Sequence, residues 1–109
     1  MKELTVLEQI ILSAIWALRD DAYGVSVRQT VKKVSGKSLN YGTLYNNLEQ
    51  LLKKGHVSKT EGESTPERIG RPRIFYTLTS KGHKALWEAY ELHTTIWNSI
   101  PDFVRLNKK

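Results

Sequence analysis

Residues 40–82, NYGTLYNNLEQLLKKGHVSKTEGESTPERIGRPRIFYTLTSKG, carry the reading on which the fold turns. Asn40 is a good helix N-cap, since its side chain can accept from an otherwise unpaired N–H of the first turn. Beyond it, Leu44, Leu48, Leu51 and Leu52 recur at helical spacing and predict a helix over 41–54. Lys53-Lys54-Gly55 closes it, with cations at the negative end of the helix dipole and a terminating glycine. Val57–Glu61 and Arg73–Thr79 read as strands, the second with Ile74, Tyr76 and Leu78 on one face. The polar stretch 62–72 between them holds two glycines and two prolines and predicts a hairpin tip. Ser80 is placed as the cap of a last helix, running to about Ser99 and ended by Pro101.

Upstream, Leu7, Ile10, Ile11, Ala14, Ile15 and Leu18 predict a first helix over 4–19. Arg19-Asp20-Asp21 breaks that pattern. A second helix over 24–35 has Val27, Val31 and Val34 inward and Arg28, Lys32 and Lys33 outward, with Ser35-Gly36 as its stop. The order is helix, helix, helix, strand, strand, helix. It predicts an α+β, mostly α chain: a winged helix-turn-helix over 1–79, then a C-terminal dimerisation helix and tail over 80–109.

Charge points to the kind of partner. The net charge is +6, and residues 22–87 hold twelve Lys or Arg against four Glu, so the excess lies on the segment with the third helix and the hairpin. With no cysteine there is neither a disulfide nor a thiolate metal site. No apolar run reaches the roughly 18 residues of a membrane span, and a cytoplasmic protein is expected. His56, His83 and His93 are isolated, with no metal-ligand or catalytic spacing, so neither cofactor, metal nor enzymatic activity is expected.

The exposed side of the third helix offers Thr43, Asn46, Asn47 and Gln50, side chains able to pair with base edges, and Lys53, which suits phosphate. Tyr41 and Tyr45 fall at its border, where a ring can pack inward while its hydroxyl reaches a phosphate oxygen. In the hairpin, Arg68, Arg71 and Arg73 bracket Gly70 and Pro72 as a cationic wing, against which Glu61, Glu63 and Glu67 are expected on the solvent side. A helix sized for the major groove followed by a basic hairpin suits double-stranded DNA. The alternative is a winged-helix module for RNA or a protein partner; duplex RNA hides its major groove and would leave Thr43, Asn46 and Asn47 idle.

Gly42-Thr43-Leu44-Tyr45, then Leu48, Leu51 and Gly55, then 70–82 (GRPRIFYTLTSKG) resemble the PadR family of bacterial transcriptional regulators over roughly residues 4–90. The resemblance implies homodimers that mostly repress, on pseudo-palindromic operators, often released by a small molecule. One departure is Asn46, which stands where the family usually has proline.

The outer helices predict how two copies meet. Leu4, Leu12 and Trp16 extend the first helix's apolar surface to a second side. Leu86, Ala89, Tyr90, His93, Ile96, Trp97 and Ile100 form a stripe on the last helix, with Trp87 beside it. Together they predict a homodimer interface. Trp16, Trp87 and Trp97 further predict an aromatic slot between protomers for a planar, largely apolar effector.

Overall fold

The computed structural model describes residues 3–62, 72–98 and 100. Its elements are α1 (Val6–Leu18), a 3₁₀ turn (Arg19–Asp21), α2 (Gly24–Ser35), α3 (Tyr41–Lys53), β1 (Val57–Glu61), β2 (Ile74–Leu78) and α4 (Ser80–Asn98). This is the expected winged helix-turn-helix with one added helix. Each boundary has a local cause. Thr5 and Glu8 form a reciprocal capping box at the start of α1. Gly36 ends α2 at φ +77°, a left-handed conformation that a side chain would oppose. The Asn40 side chain accepts from the Thr43 N–H at 2.8 Å and starts α3. At α4 the capping side chain is Thr79, not Ser80: its Oγ1 accepts from the Gly82 N–H at 3.0 Å, so Ser80 is already the first helical residue.

The core lies where α1, α2, α3 and the hairpin converge. Ile11, Leu12, Ala14 and Ile15 from α1 meet Val27 and Val31 of α2, Leu44, Leu48 and Leu51 of α3, Val57 of β1 and Tyr76 of β2. β1 and β2 are antiparallel, with Val57 opposite Leu78 and Glu61 opposite Ile74. The Tyr76 N–H donates to the Ala22 carbonyl at 2.8 Å, and Tyr23 bridges to Phe75. That third rung ties the hairpin to the segment before α2.

Two expectations are corrected by this packing. Leu12, placed on a free second side of α1, is wholly buried in the chain's own core. α1 is the central helix, with α2 against one side and β2 against another, so Leu12 is consumed internally while Trp16 stays 43% exposed. Val34, expected inward, is 63% exposed, because the last turn of α2 projects past the core.

α4 is different in kind. At 1.5 Å per residue its 19 residues run about 28 Å, and Gly82 is its one fully buried residue. Leu86 packs against the core and His93 Nε2 lies 2.8 Å from Gln9 Oε1 of α1. Trp87, Tyr90, Leu92, Ile96 and Trp97 are exposed.

Candidate nucleic-acid interface

α3 is held from beneath by its leucines, which leaves Gly42, Thr43, Asn46, Gln50 and Lys53 exposed on the outer side. The helix runs unbroken through Asn46. Asn47 is half-buried, and its side-chain amide donates to the Thr43 carbonyl at 2.9 Å, so one of its donors is already used by its own helix. Lys59 of β1 faces Glu49 of α3 at 3.9 Å, an exposed pair worth little in stability that sets the hairpin alongside α3.

Tyr41 and Tyr45 are both partly exposed at the edge of that side. Their rings stack with centroids 6.1 Å apart, and the Arg28 guanidinium lies 5.0 Å from the Tyr41 centroid. The same guanidinium donates from Nε to the Leu39 carbonyl and from Nη2 to Ser38 Oγ at 3.3 Å. Arg28 thus pins the α2–α3 turn to the first turn of α3, a role its outward position in the sequence did not disclose. The Tyr45 hydroxyl turns toward α2, so close to Gly24 that any side chain there would displace it. Tyr76 lies below; burial raises its pKa first, with the neighbouring Tyr45 and Glu49 adding to the rise.

The wing is anchored by the last of its arginines. The Arg73 guanidinium lies 4.0 Å from the Tyr23 centroid, and Tyr23 meets Phe75 edge-on at 5.7 Å. The Arg73 carbonyl accepts from the Gly62 N–H at 2.6 Å, closing the base of the hairpin. Arg68, Arg71, Glu63 and Glu67 lie outside the described residues; Glu61 is exposed.

A polar cluster joins α3 to the rest of the chain. Lys54, at the end of α3, donates to Glu8 Oε2 of α1 at 2.7 Å. Glu8 Oε1 accepts from the Thr5 N–H at 2.9 Å, and the carboxylate side chain is only 4% exposed. Burial pushes the Glu8 pKa up, but the Lys54 and Thr5 hydrogen bonds and the Lys54 charge outweigh it, and the pKa lies below its ordinary value. Beside them His56 is buried with no hydrogen-bond partner at Nδ1, and burial, then Lys81 and Lys54, hold its pKa low. Lys54 stands 46 residues from Glu8, a separation that no local spacing in the sequence discloses.

Of the expected effector residues, Trp16 has partners within the chain. Its ring meets His83 edge-on at 4.7 Å and lies under the Arg19 guanidinium at 3.8 Å. Trp87 stacks on Tyr90 at 5.2 Å, and Trp97 is 66% exposed farther along α4. The structure therefore does not gather the three indoles into one site within the chain.

A three-helix core, one of whose helices exposes a polar side, and a hairpin beside it define a winged helix-turn-helix fold. Residues 11–88 match the Transcriptional regulator PadR-like family, and the chain belongs to it. It is similar to RosR of H. salinarum, at 26% identity and a TM-score of 0.71 over 93% of this chain and 84% of that one. A complex structure of RosR superposes with a TM-score of 0.72 at 27% identity, over 93% and 82% of the two chains. A PadR family transcription regulator from Clostridium difficile shares the fold, with a TM-score of 0.75 at 23% identity over 92% and 99%. No curated protein sequence matches the chain. Among the described residues no helix is long and apolar enough to cross a membrane.

Proposed function

We propose that this regulator is a homodimeric repressor that binds a pseudo-palindromic operator, with α3 in the major groove and the wing against phosphate. The observation that carries the reading is the outer side of α3. Thr43, Asn46 and Gln50 stand exposed over its first three turns beside a basic hairpin, where solvated helices ordinarily carry Glu and Lys. Thr43 and Asn46 are assigned to base edges, and Lys53 and Arg71 to phosphate. Arg73 contributes charge from a fixed position at the wing's base.

Substitutions separate the two kinds of contact. Thr43→Ala or Asn46→Ala is expected to cost about 1–3 kcal/mol on the operator and little on random DNA. Arg71→Ala is expected to weaken all duplexes alike and to lower the slope of log affinity against log salt by about one. Fluorescence anisotropy on both DNAs across a salt series checks this. Equal losses on both for every variant would overturn the assignment, and equal affinity for duplex RNA would favour an RNA-binding module.

The dimer reading is supported by α4. Exposed Trp87, Tyr90 and Trp97 make an aromatic strip along one side of α4 that a monomer leaves in water only at a cost. With exposed Val6 and Trp16 of α1 they form the proposed interface, and Leu12 no longer belongs to it. Sedimentation at micromolar concentration is expected to give twice the protomer's 12.5 kDa; a monomer would refute the interface. A planar effector between Trp87 and Trp97 of two protomers belongs to the same proposal, supported by the exposure of both rings.

A further inference from the structure

A concavity lies away from both the helix–wing edge and the aromatic strip. It has a volume of about 490 Å³ and sits between the N-terminal residues Glu3 and Leu4, the end of α3 and the first three turns of α4. That size is typical of small-molecule sites. One end is cationic, with Lys54, Lys81 and the buried imidazole of His56; the other is formed by Leu4, Ala85, Ala89 and Leu92. Glu3 and Glu88 also line it, which restricts an anion to the lysine end.

We infer that this cavity is a binding site for a small amphipathic monoanion, its charged oxygens between Lys54 and Lys81 and its apolar body against Ala85, Ala89 and Leu92. Three features support it. Among the described residues Lys81 makes no ion pair, while Lys54 has Glu8 alone. His56 Nδ1 is buried without a hydrogen-bond partner, and burial first, then two neighbouring lysines, disfavour its protonated form. An anion between those lysines offsets their charge and raises the His56 pKa. Finally, the cavity touches α1, α3 and the start of α4, the elements whose mutual placement would set the spacing of two recognition helices. A ligand that competes with Glu8 for Lys54 biases that placement only through its different affinity for the two arrangements. This extends the regulator reading, and its test does not depend on DNA.

The probe is 8-anilinonaphthalene-1-sulfonate, with the neutral N-phenyl-1-naphthylamine as the same body without charge, both titrated into the intact DNA-free protein. The expected result is saturable binding of the sulfonate at one site per protomer. Lys81→Gln, at an exposed position, is expected to weaken the sulfonate about tenfold, the worth of one charge-assisted contact, and to leave the neutral dye unchanged. Ala85→Trp is expected to exclude both dyes. The His56 ring resonances followed against pH by NMR are expected to titrate at higher pH with the sulfonate bound. Binding that ignores Lys81→Gln and Ala85→Trp, or that is lost only in Trp97→Ala, would overturn the proposal. So would a His56 titration unmoved by saturating dye. DNA binding can fail or succeed independently of each of these outcomes.

Discussion

Gly82→Ala is expected to lower stability by about 3 kcal/mol or more, although alanine is the better helix former. At an ordinary helical position the exchange gains up to about 1 kcal/mol. At Gly82 the added Cβ would be driven into the His56 carbonyl oxygen and within 3.0 Å of its carbonyl carbon. Both are backbone atoms of the turn between α3 and β1, and the same carbonyl accepts from the Thr79 N–H at 3.1 Å. Nothing flexible can yield, so either α4 lifts or the turn shifts, at the upper end of what overpacking costs. For a chain of this size that is a fall in Tm of about 15 °C or more. Gly42 is the matched control, since a Cβ there meets only Asn40 Oδ1 at 3.4 Å; Gly42→Ala is expected to be neutral or mildly stabilising. Thermal melts of the two variants decide it. A Gly82→Ala melt within a few degrees of wild type would mean that α4 does not seat on His56 as described.

The second large effect is expected at Lys54. Lys54→Met leaves the Glu8 carboxylate, 4% exposed, without its cation, whereas Glu8→Gln leaves a lysine side chain that is 26% exposed. Removing one partner of a buried pair costs about 3–5 kcal/mol; the partial exposure of Lys54 places Lys54→Met nearer 2–3 kcal/mol. Glu8→Gln is expected to cost about 1 kcal/mol, because no charge is stranded. The double variant is expected close to Glu8→Gln alone, a non-additivity that identifies the direct pair. The pH dependence follows from the lowered Glu8 pKa. The pair's contribution is full above the carboxyl's unfolded-state pKa and disappears as pH falls through the lower folded value. The stability gap between wild type and Glu8→Gln is therefore expected to shrink as pH falls below the carboxyl's unfolded-state pKa. Urea melts of the four proteins at pH 7 and pH 3.5 check both statements. Equal single-variant losses, or a gap at pH 3.5 as large as at pH 7, would contradict the account.

The parts of the fold legible in the sequence are those with local punctuation. Asn40, Gly36 and Gly55 mark helix ends by chemistry that acts within one turn, so α2 and α3 fall where expected, and the alternation Ile74, Tyr76, Leu78 gives β2. Legibility stops where the outcome depends on what packs against a residue. Leu12 reads as a spare apolar side because the sequence does not say that α1 is central. Val34 keeps the helical spacing of Val27 and Val31, but the core ends before it. At the site, the exposed polar side of α3 follows from its leucine stripe. Arg28 over Tyr41, Arg73 over Tyr23 and Lys54 on Glu8 do not, because each joins separate elements and follows no period. Gly82 lies between: the run Leu78-Thr79-Ser80-Lys81-Gly82 announces a helix start, but the reason for its glycine is the His56 backbone 26 residues earlier.

The central claim is that two copies of α3 read one DNA dyad, and it does not require the operator to be known in advance. The wild-type protein can be used to select from a pool of random duplexes at physiological salt, with the enriched sequences aligned without assumed symmetry. The account expects an inverted repeat whose half-site centres lie one helical turn apart, about 34–36 Å along the axis. Thr43→Ala and Asn46→Ala are expected to relax the preference at fixed positions within each half-site. Enrichment of an unrepeated site, or a pool no different from the starting duplexes, would contradict it.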